Sequence, residues 1–187
     1  MTVEPIRLKS KITLMYDVLK EQNDRNAMVF KFGINTILRV SDIITIKVAD
    51  IMDESGVVRD YVQLQEQKTS RYRKIRINAE LERSLIKYIN DWKLQLDDWL
   101  FPSFRSPEKH IDRVTTWKFL KKASEEAQIE NFGTHSMRKT LAYHIYSQTK
   151  NISLVMKMLN HTNPAVTMRY IGISQDMIDR AYEDFSL

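Results

Sequence analysis

Residues 134–170 read THSMRKTLAYHIYSQTKNISLVMKMLNHTNPAVTMRY, and their pattern predicts both the architecture and the chemistry of the chain. His135 and Arg138 lie three residues apart at the start of a predicted helix, so both side chains can face one ligand. His161 follows after two helical segments, and Tyr170 comes nine residues later. The four side chains could therefore meet at one anionic group, such as a phosphodiester, beside a helix terminus.

Caps and apolar spacing predict where the helices lie. In the stretch above, Thr134 is the predicted N-cap of the first helix, Asn151 caps the second, and Asn163 with Pro164 starts a third. Elsewhere, apolar residues at helical spacing predict helices around Ile12–Leu19, from an Asp24 cap through Leu38, over 79–96, over 114–128 and over Gln175–Phe185. The chain is therefore expected to be mainly helical.

A small antiparallel sheet is predicted among these helices. Apolar and polar residues alternate over Ile44–Val48, which predicts one strand. A hairpin over Val58–Ile77 follows, and its turn falls at residues 68–71. The turn carries several basic side chains, so the tip of the hairpin is expected to be positively charged.

Length and composition limit the classes of function. At 187 residues the chain suits one domain with a sizeable core, and its excess of 29 Lys and Arg over 24 Asp and Glu favours polyanionic partners. The absence of cysteine excludes disulfides, thiolate zinc sites and cysteine nucleophiles. The sequence shows no signal peptide and no apolar run of about 18 residues, so a cytoplasmic protein without a membrane partner is expected.

The order of the polar residues resembles the signature of a known enzyme family. His-x-x-Arg at 135–138, Leu-x-His at 159–161 and Arg-Tyr at 169–170 are similar to the C-terminal signature of the tyrosine recombinases, the phage integrase family. Residues 38–42, LRVSD, resemble the Gly-Leu-Arg-x-Ser-Glu box of that family, with Asp for Glu and Ile37 for Gly. The resemblance implies an α+β fold, mainly α-helical with a small antiparallel three-stranded sheet, as in tyrosine recombinase catalytic domains.

The resemblance also implies a role for each member of a catalytic set. Tyr170 would be the nucleophile, His135 the base, and Asp42 a residue that supports the phosphate-binding Arg39. Lys68 stands in the hairpin setting Gln-Lys-Thr-Ser and would protonate the leaving oxygen. The full set is Arg39, Lys68, His135, Arg138, His161 and Tyr170.

The residue types in this set suit phosphodiester chemistry. Arg39 and Arg138 can each present a bidentate guanidinium to the nonbridging oxygens, and His161 can donate one more hydrogen bond. A phenol with a pKa of about 10 needs a base to lose its proton near neutral pH. Neither a metal nor another cofactor is expected, because fixed cations would take the part that metal ions have in two-metal nucleases.

Further basic side chains are candidate DNA contacts. Five are expected to meet DNA, two on the hairpin and three on one helix: Arg71, Lys74, Lys118, Lys121 and Lys122. Lys74 is also the second candidate for the general acid. As an alternative, lysines on a hairpin can protect an edge strand against pairing, and a basic helix can be a solvated face over an aromatic core.

The expected function is site-specific DNA recombination or integration through a 3′-phosphotyrosyl intermediate. The expected partners are double-stranded DNA and further copies of the chain, which would form a tetramer on DNA. The C-terminal helix Gln175–Phe185 could fold back or dock on another subunit. Residues 10–187 are expected to be the catalytic domain and residues 1–9 a tail or linker remnant, without the separate DNA-binding domain of larger family members.

Three other functions are open on sequence grounds. A type IB topoisomerase would use the same chemistry, but Leu-x-His and the small size count against it. A DNA-binding regulator that kept the fold and lost the reaction would usually lack the nucleophile or an arginine, and none of the six positions is missing here. A metal-dependent hydrolase would have to use the histidines at 110, 135, 144 and 161, which lack tight ligand spacing.

Overall fold

A computed structural model describes residues 3–68 and 70–185, and for residues 174–178 and 181 it describes the backbone alone. The α-helices of the described chain are α1 Lys9–Gln22, α2 Asp24–Thr36, α3 Val40–Ile43, α4 Ala79–Trp92, α5 Arg113–Glu126, α6 Ser136–Thr149, α7 Ile152–Leu159, α8 Pro164–Ile171 and α9 Ile173–Asp184. The strands are β1 Tyr61–Gln65 and β2 Tyr72–Arg76, and Val48–Asp50 forms a 3-10 turn. The prediction of a mainly helical α+β fold is confirmed.

Helix α2 is the centre of the main core. It lies against α1, α4 and α6, and it buries Phe30 and Phe32 completely. Phe101, from the loop after α4, meets Phe32 edge to face with ring centroids 6.0 Å apart. Burial of each such side chain stabilises the fold by about 1.5–3 kcal/mol. The chain that leaves the C-terminal end of α2 therefore starts from a firmly packed helix.

A smaller apolar cluster fixes the C-terminal helices beside α6. Its buried members come from the end of α2 and from α6, α7 and the α8–α9 corner: Ile37, Ala142, Tyr143, Val155, Leu159, Ile171 and Ile173. Because α7 and α8 both turn apolar residues into this cluster, the loop between them is held close to α6.

The sheet of the described chain has two strands, not the three predicted. Strands β1 and β2 pair antiparallel in continuous register. The strand predicted over Ile44–Val48 is wrong, because α3 runs into a turn there and Lys47 makes only an isolated bridge to Trp99. Ile46 and Val48 are buried, as the alternation required, but they face the helical core and the chain enters a 3-10 turn before a ladder can form.

Two of the four predicted helix caps are wrong. Asn23, not Asp24, caps α2, because its side chain accepts a hydrogen bond from a backbone N–H of the first turn. Thr134 does not cap α6, whose N-cap position is taken by His135 without a capping hydrogen bond from the side chain. The confirmed caps are Asn151 for α7 and Asn163 for α8.

Residues 3–8, predicted as part of a tail or linker remnant, lie against α6. Ile6 is buried, and its N–H donates a hydrogen bond of 2.8 Å to Thr140 Oγ1. The described part of this segment is therefore attached to the domain.

Helix α9 agrees with the helix predicted over Gln175–Phe185 to within a few residues. Part of its predicted apolar face, at positions 177, 178 and 181, falls on side chains outside the described residues. Tyr182 and Phe185, at the end of the helix, are 82% and 81% exposed. None of the described helices is both long enough and apolar enough to cross a bilayer.

Candidate active site

Arg39 is placed by an unusual end to α2. The helix stops at Ile37, whose φ of 55° is left-handed, and Arg39 then precedes α3 in extended conformation. A left-handed backbone costs a residue with a side chain about 1–2 kcal/mol, which explains why the similar box of the recombinases has glycine at this position. Ile37 is buried in the smaller cluster, and burial worth about 1.5–3 kcal/mol offsets the strain.

A buried carboxylate that the sequence analysis missed organises the arginines. Glu66 is 1% exposed, and its Oε1 lies 3.0 Å from Arg39 Nη1, 3.1 Å from Arg73 Nε and 4.0 Å from Arg138 Nη1. Arg73, also missed, donates to Met158 O at 2.7 Å. Glu66 thus meets three guanidinium groups, which exceed in number the carboxylates near them.

Asp42 supports the cluster in a different way from the one expected. Its Oδ2 lies 3.9 Å from Arg39 Nη1, at the limit of an ion pair, whereas Glu66 is much closer. Asp42 Oδ1 accepts a hydrogen bond of 3.0 Å from Gln67 N. Asp42 thereby fixes the hairpin loop at the residue before Lys68.

In the cluster around Glu66, two guanidinium nitrogens are buried without a hydrogen-bond partner among the described residues. They are Nη1 of Arg39 and Nη1 of Arg138. Both lie near Glu66, but neither makes a hydrogen bond to it, and Arg138 is fixed instead by donation from Nη2 to Leu159 O at 3.0 Å. Buried donors without acceptors are costly and rare in folded proteins, so these two atoms indicate an anion site.

Arg39 and Arg138 both line a cleft of about 350 Å³. All six residues predicted as a catalytic set line it: Arg39, Lys68, His135, Arg138, His161 and Tyr170. They come from the α2–α3 junction, the hairpin loop, α6, the α7–α8 loop and α8, which are far apart in sequence. Their meeting in one site was predicted from the resemblance to the tyrosine recombinases.

His161 and Tyr170 are positioned by the turn between α7 and α8. Asn160 ends α7 in a left-handed conformation, and His161 Nδ1 then lies 3.0 Å from Thr167 Oγ1 on α8. The imidazole and the Tyr170 ring meet edge to face with centroids 5.2 Å apart. Because Nδ1 is engaged by Thr167, Nε2 is the nitrogen through which His161 can meet a ligand.

The environment shifts the pKa values of His135, the predicted base, and Tyr170, the predicted nucleophile, in opposite directions. Burial lowers the pKa of His135, and the charges of Arg138, Arg39, Lys139 and Lys68 lower it further. Burial raises the pKa of Tyr170, against the opposing effect of Arg138 and Arg39. His135 is therefore neutral and able to accept a proton near neutral pH, when Tyr170 still holds its proton.

The lowered pKa of His135 predicts how the rate of the expected DNA cleavage changes at acidic pH. A histidine becomes protonated, and stops acting as a base, when the pH falls below its own pKa, which for His135 lies below the usual value of about 6.5. We expect the rate of DNA cleavage to stay constant down to about pH 6.5 and to fall at lower pH. Single-turnover rates from pH 5 to 8, at saturating DNA, measure this fall, and an inflection above about 6.5 would contradict the assignment of His135.

The other predicted DNA contacts lie at different distances from the cleft. Arg71 lines it, whereas the ammonium of Lys74 lies over the Tyr61 ring at 4.2 Å from the centroid. On α5, Lys121 and Lys122 each form an ion pair with the glutamate one helical turn further along the chain. Lys118 has no ion pair among the described residues. These contacts stay predictions.

Arg113 was missed as a candidate. It lines a second cavity of about 360 Å³, which shares Arg39, Lys68 and His135 with the cleft. The carboxylate beside it in sequence, Asp112, is engaged by Thr115, and Arg113 forms no ion pair with a described carboxylate. The described residues include no group of three or more histidine, aspartate or glutamate side chains arranged to hold a metal ion.

Comparison with known proteins gives close relatives along the whole chain. The family model described as the phage integrase family matches residues 8–176. The probable integrase/recombinase YoeC of Bacillus subtilis is 38% identical over 183 residues, a match that covers 98% of this chain and 97% of YoeC. Tyrosine recombinase XerH of Campylobacter jejuni is 27% identical, and that match covers 87% of this chain but 45% of XerH. The chain thus spans nearly all of YoeC and about half the length of XerH.

Solved structures share the fold. The crystal structure of XerA recombinase superimposes with a TM-score of 0.72 at 18% identity, covering 96% of this chain and 65% of that one. The catalytic domain of bacteriophage HP1 integrase gives a TM-score of 0.60 at 19% identity, covering 97% and 94% of the two chains. The catalytic-domain fold expected from the sequence is confirmed.

Proposed function

Because the chain belongs to the phage integrase family, we propose that it is a tyrosine-type site-specific DNA recombinase or integrase. It cuts and rejoins DNA strands by transesterification through a 3′-phosphotyrosyl intermediate. One observation carries the proposal: the six expected catalytic side chains line one cleft, in which two buried arginine nitrogens lack a hydrogen-bond partner among the described residues.

In the first step the phenol of Tyr170 attacks the scissile phosphorus. His135 accepts the phenolic proton as the bond from Tyr170 Oη to phosphorus forms. The bond from phosphorus to the 5′ oxygen breaks, and Lys68 gives that oxygen a proton. Arg39 and Arg138 bind the nonbridging oxygens, where negative charge develops in the transition state, and His161 donates to the same group.

The intermediate keeps the phosphodiester energy, so no nucleotide cofactor is needed for rejoining. A 5′-hydroxyl attacks the phosphotyrosyl bond, its proton passes to Lys68, and the phenolate leaves with the proton of His135. When that hydroxyl belongs to another duplex, strand exchange results. When it belongs to the same strand, the original DNA is restored.

The competing functions fit the molecule less well. An inactive DNA-binding regulator would not need the six residues to line a common cleft, yet all six line this one. The relatives carry names of integrases and recombinases, which favours strand exchange over supercoil relaxation. A denaturing gel after incubation with nicked site DNA separates the enzyme from the regulator, since only the enzyme forms a denaturation-resistant adduct.

The assembly that we propose is a tetramer on double-stranded DNA in the bacterial cytoplasm. Two recombination sites have four strands to cleave, and each chain has one cleft with one Tyr170. Helix α9 is the candidate for exchange between neighbouring subunits, because Tyr182 and Phe185 are large, apolar and exposed at its end. Crosslinking on DNA, with and without the substitution of both residues by serine, tests the contact.

Affinity for DNA should depend steeply on salt. Each phosphate neutralised by the protein releases condensed counterions, which gives a slope of about −0.9 per contact in a plot of log affinity against log salt. Arg39, Arg138, Arg71 and Arg113 lie around the two cavities, and we expect a linear dependence with a slope of several such contacts. Fluorescence anisotropy over a salt series measures it, and a flat dependence would argue against a nucleic-acid partner.

A further inference from the structure

Lys139 is a buried cation next to the catalytic cleft that the proposed mechanism does not use. It follows Arg138 on α6 and is 7% exposed. It forms no ion pair with a described carboxylate. Its ammonium group lies 5.0 Å from the centroid of the Tyr170 ring and donates a hydrogen bond of 2.6 Å to Val3 O. One lysine therefore contacts both the candidate nucleophile and the N-terminal segment.

The N-terminal segment holds the acceptor of Lys139 in place. We name residues 3–7 the N-terminal strap. Glu4 O accepts a hydrogen bond from Ser136 Oγ at 2.8 Å, and Ile6 O lies 3.0 Å from His144 Nε2, so the strap runs along α6. Gly133 leaves room for Val3, because a Cβ at Gly133 would lie 2.6 Å from Val3 Cγ2. The Val3 carbonyl is thus fixed relative to Lys139.

The N-terminal strap also contacts the helix that carries Tyr170. Arg7 Nη2 lies 3.0 Å from Glu4 Oε2 and donates to Gly172 O at 3.4 Å. Gly172 ends α8 with a φ of 68°, two residues after Tyr170. A Cβ at Gly172 would lie 2.7 Å from Arg7 Nη2. The strap is therefore packed against the C-terminal end of α8 as well as against α6.

We infer that Lys139 is a positioning residue for Tyr170 and that the N-terminal strap holds Lys139 in position. This inference rests on the proposed function of Tyr170 as the nucleophile. The ammonium lies on the ring face, where a cation is attracted by the aromatic quadrupole, and this contact resists swinging of the ring out of the cleft. Burial lowers the pKa of Lys139; of the two charged residues of the strap, Glu4 raises that pKa and Arg7 lowers it. The strap acts on the lysine through the hydrogen bond from Lys139 Nζ to Val3 O, which fixes the position of the ammonium.

The test is a comparison of Lys139→Met with Lys139→Arg. Methionine keeps much of the length and removes the charge, whereas arginine restores a cation over the ring. We expect Lys139→Met to lower the single-turnover rate of adduct formation at saturating DNA by about threefold to thirtyfold. The dissociation constant for DNA should stay within about twofold, because Lys139 is buried away from solvent. Lys139→Arg should recover most of the rate.

A matched control separates positioning from general stability. Lys11 Nζ donates to Ala127 O at 2.8 Å, a lysine–carbonyl hydrogen bond of the same kind on α1. Lys11→Met should lower the melting temperature as Lys139→Met does but leave the adduct rate unchanged. Equal rates for Lys139→Met and the wild type, or no recovery with Lys139→Arg, would overturn the inference. A wild type that forms no adduct would instead overturn the proposed function.

The contribution of the strap is tested by combining two substitutions. Arg7→Ala removes the contact with Gly172 and the ion pair with Glu4, so it should slow adduct formation, as Lys139→Met does. If Lys139 and the strap act on Tyr170 together, the double variant Arg7→Ala/Lys139→Met is slowed less than the product of the two single effects. Effects that multiply fully would show that the strap does not act through Lys139.

Discussion

Replacing Tyr170 with phenylalanine is expected to abolish the covalent protein–DNA adduct while changing DNA affinity by no more than a few fold. The phenyl ring of the Tyr170→Phe variant would still meet His161 edge to face and lie under the Lys139 ammonium, because those contacts involve the ring and not the hydroxyl. No phosphate-binding cation is removed. Denaturing gels measure the adduct, and fluorescence anisotropy measures the affinity.

A matched control for this substitution is Tyr182→Phe. Tyr182 is 82% exposed on α9 and lines none of the cavities around the arginines. We expect that variant to form the adduct at the rate of the wild type. An adduct that persists in Tyr170→Phe and disappears in Tyr182→Phe would move the nucleophile to α9.

The second large effect concerns Lys68, the proposed general acid. Lys68→Ala should cleave an ordinary site about 10²- to 10⁴-fold more slowly, because the 5′ alkoxide is a poor leaving group without a proton. When the 5′ bridging oxygen is replaced by sulfur, the thiolate leaves unprotonated, and most of the rate should return. Single-turnover rates on the two substrates provide the comparison.

Two further variants show whether the rescue is specific. Arg39→Ala should be slow on both substrates, since its partners are the nonbridging oxygens, which sulfur substitution does not change. Lys74→Ala should be fast on both, because that ammonium lies over the Tyr61 ring and outside the cleft. If Lys74→Ala is slow and is rescued by sulfur while Lys68→Ala is not, the general acid is Lys74.

The sequence allowed the six cleft residues to be predicted because each belongs to a short local pattern. His135 with Arg138 is a helical spacing, and Arg39 follows a recognisable box at the end of α2. Such patterns indicate the chemical role of a residue and the side of its helix or loop on which the side chain lies. Their meeting in one cleft needs only that the helices pack in the order implied by the family resemblance.

Glu66 and the N-terminal strap could not be predicted in the same way. The part that Glu66 has in the arginine cluster depends on Arg39 and Arg138, which are distant in sequence and meet it only after folding. The strap is held by backbone groups, such as Val3 O, that have no sequence signature. A signal for Glu66 existed in hindsight, since a carboxylate beside a predicted basic hairpin tip is a candidate partner for buried arginines.

The incorrect strand over Ile44–Val48 has a related cause. Alternating burial is the same for a strand and for an irregular segment laid on a helical core, and Ile46 and Val48 are indeed buried. A neighbouring backbone is present, since Leu100 N donates to Ile46 O and Val48 N donates to Asp98 O. The 3-10 turn at Val48–Asp50 ends this pairing, so Lys47 and Trp99 form an isolated bridge and not a ladder.

The most direct test of the central claim is to locate the covalent bond itself. The protein is incubated with a pool of duplexes that carry a nick and randomised flanking sequence, so that cleavage releases a short fragment and traps the intermediate. Adducts are isolated under denaturing conditions, digested and sequenced by mass spectrometry. We predict a 3′-phosphotyrosyl nucleotide on the peptide that contains Tyr170. Attachment to any other residue, or specific DNA binding without an adduct, would contradict the claim.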